Sequence, residues 1–146
     1  MNEKVIKIEY HSDEIERLKY IDGKSDWIDL RAAERVELKA GDFKYISLGV
    51  SMRISEGYEA HIAPRSSTFK TWGIIQPNSP GVVDFSYNSH EDVWKMPAYA
   101  TRDTVIEIND RICQFRIVEN QPKIIFEEVE YLEGVARGGF GSTGKA

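Results

Sequence analysis

The stretch "YISLGVSMRI" (residues 45–54) decides the fold class. Ile46, Leu48, Val50, Met52 and Ile54 fall on one face, with Ser47, Ser51 and Arg53 on the other, which is the two-residue period of a half-buried strand. The same short, β-branched or aromatic character marks "YEAHIAP" (58–64), "DTVIEI" (103–108), "RICQFRIV" (111–118) and "KIIFEEVEY" (123–131). Each is bounded by Gly, Pro, Asn or Asp, so all five read as strands. Helical signal is weak: one turn over "SDEIERL" (12–18) and another over "RSSTFKTW" (65–72). Many short strands separated by turn residues predict an all-β protein, a jelly-roll-like β-sandwich or barrel with one short helix and a flexible Gly-rich C-terminal arm. Residues 1–136 form the expected jelly-roll domain and 137–146 the arm.

Composition narrows the function classes. The chain has 146 residues, 41% of them hydrophobic and 29% charged, enough for one domain with a sizeable core. No apolar run reaches a membrane-spanning length, and "MNEKVIKIEY" (1–10) lacks the apolar stretch of a signal peptide. Cys113 has no second cysteine to pair with, so the expected location is the cytoplasm. A net charge of -5 argues against sequence-blind nucleic-acid binding and no membrane partner is expected, although a small anion can be held by a few placed arginines.

Metal and thiol chemistry find little support. His11, His61 and His90 have no ligand-like spacing to one another or to Cys113, so each reads as a surface or sheet-edge residue and no protein-bound metal is expected. Cys113 alternates with Phe115 and Ile117 and reads as a small core residue.

Three other stretches carry chemistry. In "APRSSTFK" (63–70), Ser66 and Ser67 can cap the short helix, while Arg65 at the same corner suits an anion. In "NSPGVVDFSY" (78–87) a turn leads into Val82 and Val83, which start a buried strand. Asp84 follows at once, as a turn or edge residue or as a general base. Tyr87 is a sheet aromatic or a platform for a ligand ring. The tail "ARGGFGSTGKA" (136–146) cannot pack a core; it is a solvated end or a backbone built to wrap phosphate oxygens.

Five motifs in order over most of the chain, "DWIDLRAA" (26–33), "PRSST" (64–68), "NSPGVVDFSY", "DRICQFRI" (110–117) and "RGGFGSTG" (137–144), resemble those of the homotrimeric deoxyuridine triphosphate nucleotidohydrolases, the dUTPases. The resemblance implies hydrolysis of dUTP to dUMP and pyrophosphate, which keeps uracil out of DNA and supplies dUMP. It implies Mg²⁺ carried on the substrate triphosphate and a homotrimer with active sites at subunit interfaces. Asp84 would activate the attacking water and Gln114 lie near the α-phosphate. Arg65, Ser66 and Ser67 would hold phosphates, and Asn78 with Gly81, Val82 and Val83 would read uracil. Tyr87 would pack on deoxyribose, and Asp29 would support the metal and phosphate region without binding metal. In the tail, Arg137, Ser142 and Thr143 would meet the γ-phosphate, while Phe140, beside Gly141, would stack on uracil as part of a lid.

The chain departs from that pattern in three places. The tail has two fewer residues between Arg137 and its Gly-Gly-Phe, residues 88–96 are longer and more polar than usual with Trp94 among them, and Ser67 replaces a commoner small residue. Alternatives in the same fold are a dCTP deaminase-like enzyme, whose catalytic glutamate motif is not found, or a nucleotide sensor that binds a repressor-type protein partner if the chain is viral.

Overall fold

The computed structural model describes residues 3–21, 23 and 25–139. Among them lie β1 (Lys7–Tyr10), β2 (Ile28–Arg31), β3 (Val36–Leu38), β4 (Phe43–Ser47), β5 (Val50–Arg53) and β6 (Tyr58–Pro64). The short helix α1 (Thr68–Trp72) follows, then β7 (Ile74–Ile75), β8 (Gly81–Asp84), β9 (Lys95–Ala100), β10 (Thr104–Ile106) and β11 (Arg111–Glu119). All ladders are antiparallel: a four-stranded sheet β2-β11-β6-β8, a three-stranded sheet β4-β9-β7, and the pairs β1-β5 and β10-β3. This is the all-β sandwich the alternation predicts, with one short helix among the described residues.

The stretch 45–54 behaves as its period requires, with one addition. Ile46, Leu48, Val50, Met52 and Ile54 are all buried in the core. The chain nevertheless changes sheets midway: β4 pairs with β9, while β5 pairs with β1. Gly49 makes the corner with φ of 68°. On either side of it, Leu48 N–H donates to the Trp94 carbonyl (2.9 Å) and Trp94 N–H to the Val50 carbonyl (2.8 Å), so the corner is laced to the start of β9. Trp94 is itself buried and meets Phe115 edge-on at 5.3 Å, which makes it a core residue.

Three expectations are corrected. "SDEIERL" forms no helix. Two of its amides are captured from outside the segment, Glu16 N–H by Asn109 Oδ1 (2.8 Å) and Leu18 N–H by the Tyr10 hydroxyl (2.8 Å), and Glu14 N–H turns back to Ser12 Oγ (3.0 Å), while Ile15 plugs into the core. "KIIFEEVEY" is not a strand among the described residues. The last strand ends at Glu119, and Ile125 and Phe126 are exposed, so its apolar residues have no partner strand among the described residues. Val82 is exposed rather than buried, because it stands opposite His61 on the outer face of the sheet; Val83, opposite Ala60, turns inward against the core.

Gly49 is where the fold tolerates least. A Cβ there would approach Ala33 Cβ to 2.7 Å and Ile15 Cδ1 to 3.2 Å, in a left-handed conformation that side chains disfavour. Gly49→Ala should therefore cost about 2–4 kcal/mol from strain plus overpacking. A urea midpoint at fixed protein concentration checks this, and a value within error of wild type would show that the corner can relax.

Candidate functional site

The four-stranded sheet positions two groups of side chains at different ends of β6. On one side, β6 pairs with β8 in the register Glu59–Asp84, Ala60–Val83, His61–Val82 and Ile62–Gly81. On the other it pairs with β11, where Gln114 stands opposite Ala63 and, on the next ladder, opposite Asp29.

The first group lines a cleft of about 580 Å³. Asn78, Gly81, Val82, Val83, Asp84 and Tyr87 all border it. Gln76, which the sequence reading missed, holds the hairpin in place. Its buried Nε2 donates to the carbonyls of Ile62 (2.9 Å) and Asn78 (2.8 Å), tying the turn to β6. The hairpin approaches closely at Gly81, where a Cβ would lie 3.4 Å from Gln76 Nε2 and 3.6 Å from the Asn78 carbonyl.

Asp84 is exposed at the end of β8. The Ser86 N–H donates to its Oδ1 (2.8 Å). That bond, aided by a Ser86 side-chain hydrogen bond, holds the Asp84 carboxyl below its ordinary value, so it is ionised at neutral pH. Tyr87 closes the turn: its N–H donates to the Asp84 carbonyl (3.0 Å) and its hydroxyl to the Val93 carbonyl (2.9 Å). Burial, and then the charge of Asp92, push the phenol upward, so Tyr87 presents a neutral ring whose hydroxyl is already bound. Residues 88–93 are organised by Asp92, which accepts from Ser89 N–H (3.1 Å) and its hydroxyl (3.0 Å).

The second group is an arginine cluster ordered by one carboxylate. Asp29 binds Arg65 Nε through Oδ1 (3.0 Å) and Arg111 Nη1 through Oδ2 (3.2 Å). Arg65 Nη1 also reaches Ser67 Oγ and the Arg111 carbonyl, both at 3.3 Å. Gln114 Nε2 donates to the Pro64 carbonyl (3.1 Å), which fixes its amide beside the same corner. Arg111, unassigned from sequence although it lies in "DRICQFRI", thus belongs to this cluster. The capping expectation is corrected: Ser67 is at the N-cap of α1 but makes no capping bond, and Ser66 is exposed. Thr68 does the local work instead, accepting from Arg65 N–H (2.8 Å) and donating to the Ile112 carbonyl (3.0 Å).

Cys113 is fully buried, and burial together with the nearby charge of Asp29 pushes its thiol far up, which leaves no thiolate for nucleophilic work. Arg137 is described and exposed. Phe140, Gly141, Ser142 and Thr143 lie outside the described residues.

Similarity to known proteins points the same way as the geometry. A family model described as dUTPase matches residues 23–144. The chain is 52% identical over 139 residues to the SPbeta prophage-derived deoxyuridine 5'-triphosphate nucleotidohydrolase YosS of Bacillus subtilis, covering 95% of this chain and 97% of that protein. It is 37% identical over 129 residues to the deoxyuridine 5'-triphosphate nucleotidohydrolase of Rickettsia bellii, covering 86% and 85%. Among solved structures, the dUTPase of phage phi11 of S. aureus, in a form described with a coordinated structural Mg(II) ion, superposes with a TM-score of 0.74. It is 16% identical and covers 90% of this chain and 100% of its own.

The hydrogen bonds to Asp84 make a direct prediction. Ser86→Ala removes the hydroxyl but keeps the backbone N–H that contributes most, so the carboxyl should titrate higher than in wild type yet still below free aspartate. A carbon-detected NMR titration of the Asp84 carboxyl reads this shift, and an unchanged or lowered midpoint would contradict the assigned cause.

Proposed function

Because the chain belongs to the dUTPase family, we propose that it hydrolyses dUTP to dUMP and pyrophosphate. Water attacks the α-phosphorus; its oxygen forms the new bond, and pyrophosphate leaves with the electrons of the broken bridging P–O bond. Asp84 takes the proton of that water. The observation that carries this reading is an ionised carboxylate on the wall of a cleft formed by a hairpin that Gln76 holds rigid.

Each remaining residue has a bounded task. Asn78 and the backbone from Gly81 to Val83 read the uracil edge, where a mismatched base would strand buried polar groups. Tyr87 packs against deoxyribose and leaves no room for a 2′-hydroxyl. Arg65, Ser66 and Ser67 hold phosphate oxygens, with Asp29 positioning Arg65 rather than meeting substrate. Gln114 lies near the α-phosphate. Arg137 and the segment from Phe140 to Thr143 act as a lid that orders over bound nucleotide and excludes water.

Asp29 has both oxygens engaged by arginines, so this corner suits Mg²⁺ brought in on the triphosphate better than a protein-built cage. Bound there, Mg²⁺ would supply charge neutralisation at the phosphate oxygens.

The register of the sheet supports shared sites. Asp84 pairs at Glu59 and Gln114 at Ala63, on opposite sides of β6. Four residues along and two strands across place their backbones about 16 Å apart, too far for both to serve one phosphate. A homotrimer with each site at a subunit interface brings Asp84 of one chain to Arg65 and Gln114 of another, in a ring closed by rotation.

Two experiments test these readings. Asp84→Asn should fold and bind dUTP but lose about 10²–10⁴-fold in kcat. Pyrophosphate release with Mg²⁺, measured across the deoxynucleotides and UTP, checks both the rate and the substrate; near-normal turnover would remove Asp84 from the mechanism. Co-refolding equal amounts of Asp84→Asn and Arg65→Ala should restore about one quarter of wild-type activity by random mixing in a closed ring. No restoration would mean that each chain supplies both residues to its own site.

A further inference from the structure

Sequence spacing separates His11 from His90, but the fold brings them together outside the cleft. Glu9 is in β1, His11 follows that strand, and His90 belongs to the turn after Tyr87. Each of the three offers a ligand atom within 4.8 Å of the other two, and the imidazole centroids are 5.0 Å apart.

The hydrogen bonds around them set the available lone pairs. Ser51 Oγ has one proton and donates it to the Asp92 carbonyl at 2.9 Å. At His11 Nε2, also 2.9 Å away, Ser51 must therefore accept, so His11 carries its proton on Nε2 and a lone pair on Nδ1. A second N–H held in this way is the usual support of a metal-binding histidine. His90 Nδ1 lies 2.7 Å from Glu9 Oε2, a contact that needs one proton between them. A cation can replace that proton and meet the ring nitrogen and the carboxylate together.

From these contacts we propose that Glu9, His11 and His90 bind a divalent transition-metal ion, with zinc the best match to two imidazoles and one carboxylate. Tetrahedral ligands at ordinary zinc bond lengths stand about 3.4 Å apart, so His90 Nδ1 and Glu9 Oε2 must open slightly from 2.7 Å, while no pair, all lying within 4.8 Å, has to close by much more than about 1 Å. All three are exposed. Water completes the shell. Lys7 and Arg53 line the same groove, so the local field does not favour a hard cation and the coordinate bonds of the imidazoles carry the affinity. The bound ion would staple β1 to the turn bearing His90, a cross-link between residues about 80 apart in sequence.

The test uses the full chain, stripped of metal and free of nucleotide. Zinc chloride titrated by calorimetry should load one ion per chain and raise the melting temperature. His11→Ala and His90→Ala should each weaken binding at least about ten-fold, since even losing an outer partner costs that much. His61→Ala should retain the ion, because His61 pairs with Glu59 elsewhere on the sheet. Magnesium chloride should not reproduce the His90-dependent melting shift. No saturable uptake by about 100 µM zinc, or wild-type binding in both His11→Ala and His90→Ala, would overturn the site.

Discussion

The pairing of β11 with β6 is the constraint from which the rest of the molecule follows. It runs from Cys113–Pro64 to Glu119–Tyr58 without interruption, and it buries Ala60, Ile62, Cys113 and Phe115 in the core. Because a one-residue slip would turn each of these to the opposite face, the ladder has one acceptable register. That register also sets where chemistry can occur. Pro64 is held opposite Cys113, so Arg65 leaves the sheet beside Asp29 and Arg111, while the far side of β6 receives the hairpin that carries Asp84.

The charges are handled differently in the two groups, and the difference suits their tasks. Asp29 is shielded and bidentate to two guanidinium groups, which fixes cations in place in a chain whose net charge is -5. Local geometry can therefore gather cations where the global field does not, as the proposed phosphate contacts require. Asp84 is exposed and supported by neutral donors from Ser86, so it remains an anion with no ion pair among the described residues. A carboxylate held in this state can orient water but is a weak base alone. In the proposed role of base, it would be helped by the surroundings that form around bound substrate.

Much of this was legible in sequence, and the failures have physical causes. The period-two pattern located the strands because a sheet with one buried face imposes that period directly. Asp84 and Tyr87 stood out as a carboxylate and an aromatic just after a turn and strand, whereas Asn78 and Gly81 to Val83 were named as site residues only through the resemblance to the dUTPases. Gln76, Arg111 and Ser86 escaped notice because their roles depend on partners brought in by the fold, or on a backbone N–H that any residue supplies. The meeting of His11 with His90 was hidden for the same reason. The segment 12–18 was misread as helical because tertiary acceptors outcompete its weak intrinsic preference. Residues 123–131 were misread because a β-like composition states what a segment could pair with, not whether this chain provides the partner.

That last failure bears on assembly. Beyond Glu119 the chain carries Ile124, Ile125, Phe126, Val129, Tyr131, Leu132 and Val135 into solvent, with Phe126 92% and Val135 98% exposed. Burying one such aliphatic or aromatic side chain is worth about 1.5–3 kcal/mol, so a lone chain leaves a large stabilisation unclaimed. With the separation of Asp84 from Gln114, this supports the proposed assembly, in which a neighbouring subunit covers the surface and completes the site. The two are linked through the tail, since wherever residues 120–136 dock fixes the point from which Arg137 and the lid must reach. Two residues fewer between Arg137 and its Gly-Gly-Phe shorten that reach by about 7 Å at most. A docked arm can offset such a deficit by releasing the chain nearer the nucleotide. The short tail is therefore better matched to an arm held against a neighbouring subunit than to one tethered only at Glu119.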